Sequence, residues 1–372
     1  MRVLHVYKTS FPTTVGGIEV FIDTLSNQTH DLGVQNTVLS LATVEKTTEV
    51  IVNDYKVILA KEDLFIASTG FSLSAFKEYR KQAKLADIIH FHFPNPFGDF
   101  LYLFSKKDKP CIVTYHSDII KQKRLLKIYQ PVMNMFLRRM KKIVATSPKY
   151  LASSDVLQHH RGKVDIIPIG IIEPKITPKI KQCISEWKSK LPTKFFLFVG
   201  ELRYYKGLKT AIKSAAESGL PLIIAGKGGD EVELKQYANE LGAKNISFLG
   251  FISDNDKWAL LSLCYCFVMP SHLRSEAFGI SLLEAAAMGK PMISCEIGTG
   301  TSYVNIDQKT GVVVKPNSVE ALTMAMSNIY ENEHNTQIFG KAALLRYHQL
   351  FSAETQAQKY HKIYCELIKS GI

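Results

Sequence analysis

Two glutamates, Glu276 and Glu284, stand in "PSHLRSEAFGISLLEAAAMGKPMIS", Pro270 to Ser294, among small and apolar side chains. Two nearby carboxylates suggest an acid and a base, but their spacing argues otherwise. "CFVMPS" reads as a strand and "ISLLEAAAMG" as a helix closed by Gly289 and Pro291, so Glu276 falls in the connecting turn and Glu284 on the helix. Even on one continuous helix, eight residues at roughly 1.5 Å each would set the carboxylates about 12 Å apart. Hydrolytic pairs stand about 5 to 9.5 Å apart. Two hydroxyl clusters of one extended ligand suit this spacing better, with phosphates between them meeting helix N-terminal amides near Ala277, Phe278, Gly279 and Ile280. A nucleotide sugar has that form.

Other groups fit the same ligand. In "FLFVGELRYYKGLKTAI", Arg203 and Lys206 lie in the turn between a strand and a helix, beside Gly200, where two cations can hold a diphosphate and stabilise its charge as it leaves. A solvated basic turn is the plain alternative. A glycine cluster opening at Gly226, "IIAGKGGDE", follows the next strand, where a nucleotide would sit. Gly16 and Gly17 open the first helix and would let backbone approach a ligand, although paired glycines also make ordinary turns. His116 in "VTYHSD" ends a buried strand, as a hydrogen-bonding or proton-handling group would, or as a satisfied structural histidine would. His90 and His92 share one strand face, but no third ligand stands at a diagnostic spacing, so no metal site is expected. The chain carries no full G-x-G-x-x-G, no G-x-S-x-G, no H-E-x-x-H and no P-loop, which disfavours nicotinamide enzymes, serine hydrolases, zinc proteases and P-loop kinases.

The elements that must position these residues alternate from the start. "RVLHVY", "NTVLSL", "KVILA", "DIIHFH", "CIVTY", "KIVAT" and "VDIIPI" read as strands separated by helical stretches, which predicts a doubly wound parallel sheet over residues 1–172. Residues 173–193, with three prolines and many lysines, read as a linker with one short helix. Alternation restarts with "FFLFVG", "PLIIAG", "NISFLG", "CFVMPS", "PMISC" and "GVVV", predicting a second such domain over 194–350, and residues 351–372 form a C-terminal helix able to pack back on the first. The fold class is therefore α/β, two Rossmann-like domains facing each other across a cleft where ligands bind. A chain of 372 residues is long enough for two cores.

Six scattered cysteines without a CxxC pair are expected as buried free thiols in a reducing cytoplasm. No signal peptide is read at the N-terminus, and the longest near-apolar run, "WALLSLCYCFVMP", falls short of the roughly 20 residues a spanning helix needs. Of the net charge of +12, most lies in the first half, where Met1 to Lys175 holds 24 Lys and Arg against 16 Asp and Glu. Lys121 to Lys142 carries eight basic residues and no acidic one, and Leu125, Leu126, Tyr129, Val132, Met133, Phe136 and Met140 recur at helical spacing. Lys121, Lys123, Arg124, Lys127, Arg138 and Arg139 then form either a solvated rim on a packed helix or a surface for anionic lipid. Nucleic acid is disfavoured, because no binding motif or aromatic-interleaved basic stripe appears.

Taken in order, "GGIE", "VTYHSD", "FVGELRYYKG" and "SEAFGISLLEAAAMGKPMIS" resemble the motifs of the retaining GT-B glycosyltransferases of family 4, across almost the whole chain. The wording "YHSDIIKQKRLLKIYQP", "LRYYKGL" and "PSHLRSEAFGISLLE" is similar to that of mannosyltransferases that build bacterial O-antigen polymannan. The resemblance implies transfer of a sugar from a nucleotide donor, expected to be GDP-mannose, with retention and without cofactor or essential metal. It implies that Glu276 binds the donor sugar and Glu284 the ribose, that Arg203 and Lys206 hold the diphosphate, that His116 contacts the sugar, and that Gly16 and Gly17 let a loop close over the phosphates. It further implies a lipid-linked glycan acceptor on the first domain and peripheral association with the cytoplasmic face of the membrane. Two departures are present: Glu201 stands where the family has arginine after the glycine of its G-R-L element, and "IIPIGII" replaces the commoner P-N-G-I-D. A transferase using another donor, a UDP-hexose or a deoxyhexose nucleotide, is the alternative, and a sugar-nucleotide epimerase of similar fold is the competing enzyme class.

Overall fold

Short runs of apolar and β-branched residues become strands buried on both faces, as parallel sheets covered by helices require. The computed structural model describes residues 1–66, 69–105, 109–119 and 123–370. Met1–Ile172 joins the C-terminal segment from Ala353 in one unit, and Glu173–Ser352 makes the second.

The first unit holds β1 (Arg2–Val6), β2 (Gln35–Ala42), β3 (Thr48–Val52), β4 (Tyr55–Lys61), β5 (Leu64–Ile66), β6 (Thr69–Phe71), β7 (Ile88–Phe93), β8 (Cys111–Tyr115), β9 (Lys142–Ala145) and β10 (Val164–Ile166). Eight of them form one sheet in the order β10-β9-β8-β7-β1-β2-β4-β3, and β5 pairs with β6. Strand order reverses between β1 and β7, the kind of position at which open α/β sheets bind ligands. β3 is absent from the sequence reading. It pairs antiparallel to β4 through a turn in which Asn53 takes φ 48°, a conformation asparagine tolerates. Its burial alternates, so its pattern is diluted by solvent-facing residues. Helix Ala353–Ser370 lies against helix Gly17–His30.

The second unit holds β11 (Phe196–Val199), β12 (Leu222–Ala225), β13 (Ile246–Gly250), β14 (Cys266–Met269), β15 (Met292–Cys295) and β16 (Gly311–Val314). All pair in parallel in the order β13-β12-β11-β14-β15-β16, with the reversal between β11 and β14. Phe196, Phe198, Ile212, Leu222, Ile224, Val268 and Ile293 fill its core. The segment read as a linker carries helix Pro178–Lys188, started by the Thr177 cap and Pro178, and it packs on helix Asp254–Leu263 with Trp187 Nε1 donating to Asp256 Oδ1 at 2.9 Å. Both units are doubly wound parallel sheets, as the strand-helix alternation predicts.

The six cysteines are all unpaired, and Cys111, Cys264, Cys266 and Cys295 are buried. Helix Lys123–Arg139 corrects one expectation. Met133, Phe136 and Met140 are buried as its spacing implies, together with Leu137, but Leu125 is 48% exposed and Ile128 78% exposed. Pro131 lies inside the helix between these two halves. The apolar stripe is therefore buried deepest over the C-terminal half, while in the N-terminal half Tyr129 reaches the buried Asp99 and Leu125 faces solvent. Among the described residues, no helix is long and apolar enough to cross a membrane.

Candidate functional site

The donor residues expected in the second unit lie beyond the carboxyl ends of its strands, except Glu284, which sits within helix Ile280–Ala287. Gly200, Arg203 and Lys206 follow β11, Gly226 follows β12, and Ala277 to Ile280 follow β14. Gly226 has φ 134°, and a Cβ there would stand 2.0 Å from the Gly200 carbonyl oxygen, so the two loops touch backbone to backbone. The loop after β14 is equally fixed: Gly300 N donates to Ala277 O at 2.9 Å and Phe278 packs edge-on to Phe351. Gly279 caps helix Ile280–Ala287 with φ 88°, and no side chain caps that N-terminus.

Lys206 and Glu276 come together across 70 residues of sequence. Lys206 Nζ lies 2.5 Å from Glu276 Oε2, both side chains are 11% exposed, and Ser271 Oγ donates to the same carboxylate oxygen at 3.3 Å. Burial alone would lower the Lys206 ammonium, but Glu276 more than reverses this, so its pKa stands above the usual lysine value. Glu284 meets Lys257 at 2.7 Å, on a helix the sequence reading left without a role. Burial pushes the Glu284 carboxyl up and Lys257 opposes it, while for Lys257 burial pulls the ammonium down and Glu284 more than reverses it. Arg203 does not join this group. Half exposed, it pairs with Glu201 at 2.7 Å, the residue that departs from the family pattern.

In the first unit, Gly16 is the N-cap of helix Gly17–His30 without a side-chain cap. The loop before it is tied by Glu19, which accepts from Thr9 Oγ1 at 2.7 Å and Thr14 Oγ1 at 3.3 Å. His116 is 5% exposed and its ring nitrogen Nε2 lies 3.2 Å from His92 Nδ1. Asp118 anchors the same loop, accepting from Tyr115, Tyr150 and Ser154 hydroxyls. Sequence reasoning noticed His90 and His92 on one face but missed His5, which β1 places beside them, and Asn36, which β2 places beside His5. One ring nitrogen each of His5, His90 and His92 lies within 4.8 Å of the others. Hydrogen bonds engage both nitrogens of every one of these rings: His5 with His92 and Asn36, His92 with His5 and His116, His90 with Tyr364 and Thr114 at 2.7 Å each.

On helix Lys123–Arg139, Lys127, Arg138 and Arg139 are exposed around a groove with Gln130, Pro131, Asn134 and Met135. Lys123 and Arg124 lie in its first turn. Lys121 lies outside the described residues.

Comparison with known proteins supplies the remaining findings. Residues 15–172 match the family described as Glycosyltransferase Family 4, and residues 181–346 match Glycosyl transferases group 1. The D-rhamnosyltransferase WbpZ of Pseudomonas aeruginosa is 47% identical over 95% of this chain and 93% of its own length. The O-antigen chain mannosyltransferase C of Escherichia coli is 43% identical over the full length of both chains. Among solved structures, Anabaena HepE in complex with UDP superposes with a TM-score of 0.77 at 18% identity, covering 98% of this chain and 100% of that one, which shows a common GT-B fold.

Proposed function

The chain belongs to the GT4 family of glycosyltransferases, and from that premise we propose that it transfers mannose from GDP-mannose, with retention, to a lipid-linked glycan in O-antigen synthesis. The end-to-end identity to an O-antigen mannosyltransferase carries this reading. D-rhamnose is 6-deoxy-D-mannose, so the sugars named for both relatives share their ring configuration and differ by one hydroxyl. A manno-configured donor is common to them.

On this reading Glu276 holds hydroxyls of the donor sugar, Glu284 the ribose, and Lys206 the diphosphate, with Arg203 free to swing from Glu201 to the same phosphates. Breaking the anomeric bond builds negative charge on the departing diphosphate. Lys206, Arg203 and the uncapped N-terminus of helix Ile280–Ala287 answer that charge without a metal. The sugar's reacting face is offered no obvious nucleophile, so the acceptor hydroxyl attacks from the side of the leaving phosphate, which takes its proton. The exposed Lys127, Arg138 and Arg139, with apolar Leu125 and Ile128 on the same helix, suit attachment to an anionic membrane surface bearing the acceptor.

The test offers GDP-mannose, GDP-D-rhamnose and UDP-glucose with a synthetic mannose-terminated lipid acceptor and reads product mass and linkage. The expected product gains one or more α-linked mannoses from GDP-mannose. An inverted linkage would overturn the mechanism, transfer only from UDP-glucose would overturn the donor, and interconversion of donor without acceptor would make the chain an epimerase.

A further inference from the structure

The histidines buried in the first unit form an ordered line. Asn36 Oδ1 lies 3.2 Å from His5 Nε2, His5 Nδ1 lies 3.1 Å from His92 Nε2, and His92 Nδ1 lies 3.2 Å from His116 Nε2. Hydrogen positions follow from chemistry at the far end. The Asn36 amide nitrogen donates to Ser26 O and Thr29 Oγ1 at 2.9 Å each, and Thr29 Oγ1 spends its own proton on Leu25 O at 2.7 Å. Turning that amide over would set its oxygen against the Ser26 carbonyl, so the oxygen must face His5. His5 therefore carries its proton on Nε2.

Each ring then dictates the next. Burial drops His5 to about 4 and His116 to about 3 and holds His92 well below the usual histidine value, so all three are neutral at pH 7 and each has one N–H. With its proton on Nε2, His5 accepts at Nδ1 from His92 Nε2–H, and His92 in turn accepts at Nδ1 from His116 Nε2–H. His116 Nδ1 is left as a bare lone pair, and no described residue hydrogen-bonds to it.

We propose that Asn36, His5 and His92 are positioning residues: a one-way hydrogen-bond chain that locks His116 in its Nε2–H form and presents Nδ1 as an obligatory acceptor for a sugar hydroxyl. This rests on the glycosyltransferase reading for the ligand, and on the hydrogen bonds alone for the wiring. An acceptor with no proton to give selects a hydroxyl that donates, and it cannot act as a general acid. The hydroxyl belongs either to the donor sugar or to the acceptor glycan.

Nitrogen-15 NMR of the histidine-labelled full chain at pH 7 tests the wiring without any activity. His5, His92 and His116 should each show a protonated Nε2 and a bare Nδ1; a proton on His116 Nδ1 overturns the proposal. His5→Gln supplies one amide donor and one carbonyl acceptor in the same order, whereas His5→Leu supplies neither. The Gln variant should keep the His116 tautomer and transfer within about threefold of the parent, and the Leu variant should mix the tautomers and lose about tenfold in kcat/KM. A folded Leu variant with parental tautomer and rate overturns the proposal, and if it does not fold, the parent and Gln spectra decide. Monodeoxy analogues of GDP-mannose and of the mannose-terminated acceptor locate the hydroxyl: one of them should lose about tenfold with the parent and nothing more with His116→Ala. Independent losses at every hydroxyl overturn the ligand assignment. If no nucleotide sugar is turned over at all, the functional reading fails, and the spectra still decide the wiring.

Discussion

At the scale of residues, the Lys206–Glu276 pair separates a structural contribution from a chemical one. Its charges are held 2.5 Å apart with 11% of each side chain exposed, so removing one partner strands the other in a poorly solvated site. Lys206→Met should lower stability by about 3 kcal/mol, and Lys206→Met with Glu276→Gln should regain at least half of it, because no lone charge remains buried. On the proposed roles transfer should fall at least a hundredfold in both, since the single variant no longer holds the diphosphate and the double variant holds neither the diphosphate nor the sugar. Calorimetry and initial rates measure the two effects, and a double variant with parental rate would remove the pair from the site. Arg203→Ala breaks only an exposed pair, so its stability should change by less than about 0.5 kcal/mol while transfer drops about tenfold. The Glu276 and Glu284 spacing and Lys206 were legible in sequence, but the pairing of Lys206 with Glu276 and the presence of Lys257 beside Glu284 were not. Lys206 lies 70 residues from Glu276 and Lys257 lies 27 from Glu284, and only the order of strands brings them together.

At the scale of elements, the loops after β11 and β12 depend on backbone contact that side-chain patterns do not record. The strands themselves were legible because unbroken apolar runs have one use in a chain of this length. The touching of Gly226 and Gly200 was not, because a glycine cluster reads the same whether it cradles phosphate or packs against its neighbour. Gly226→Ala should cost about 3 kcal/mol: its φ of 134° is poorly accessible to alanine and its Cβ would meet the Gly200 carbonyl. In calorimetry that should lower the melting temperature of the second unit by roughly 6 to 12 °C. Gly229→Ala, three residues on, adds a Cβ that meets nothing within 4 Å, and should shift stability by less than about 0.5 kcal/mol. Equal melting temperatures for the two variants would mean that the loop contact adds nothing. Likewise β3 escaped reading because its apolar run is only Val50, Ile51 and Val52 and none of its residues is fully buried, Ile51 being 70% exposed.

At the scale of the whole molecule, the central layer of the first unit makes folding depend on pH. His5, His90, His92 and His116 converge there from β1, β7 and the end of β8, ringed by Phe21, Tyr360 and Tyr364. Tyr364 meets His90, and Tyr360 meets Thr114, which in turn bonds His90; both tyrosines come from the helix that returns after the second unit. Neither this layer nor its dependence on the final helix could be read from "RVLHVY" or "IIHFHF", because two strand faces look alike until a partner is known. Burial lowers all four histidines, His5 to about 4 and His116 to about 3, whereas in the unfolded chain each titrates near 6.5. Below pH 6.5 the unfolded state therefore binds more protons than the folded one, and stability falls as pH falls. The contribution is complete from about one pH unit above 6.5, and below 6.5 each histidine removes up to about 1.4 kcal/mol per pH unit, until the folded rings begin to take up protons near 4. Urea midpoints of the full chain at pH 7.5, 6.5 and 5.5 should fall modestly across the first interval and about three times as far across the second. His5→Gln, which keeps the hydrogen bonds and loses one titrating ring, should shallow that drop by close to one proton; an unchanged slope would mean that His5 is already protonated in the folded chain, and with it the tautomer order would fail.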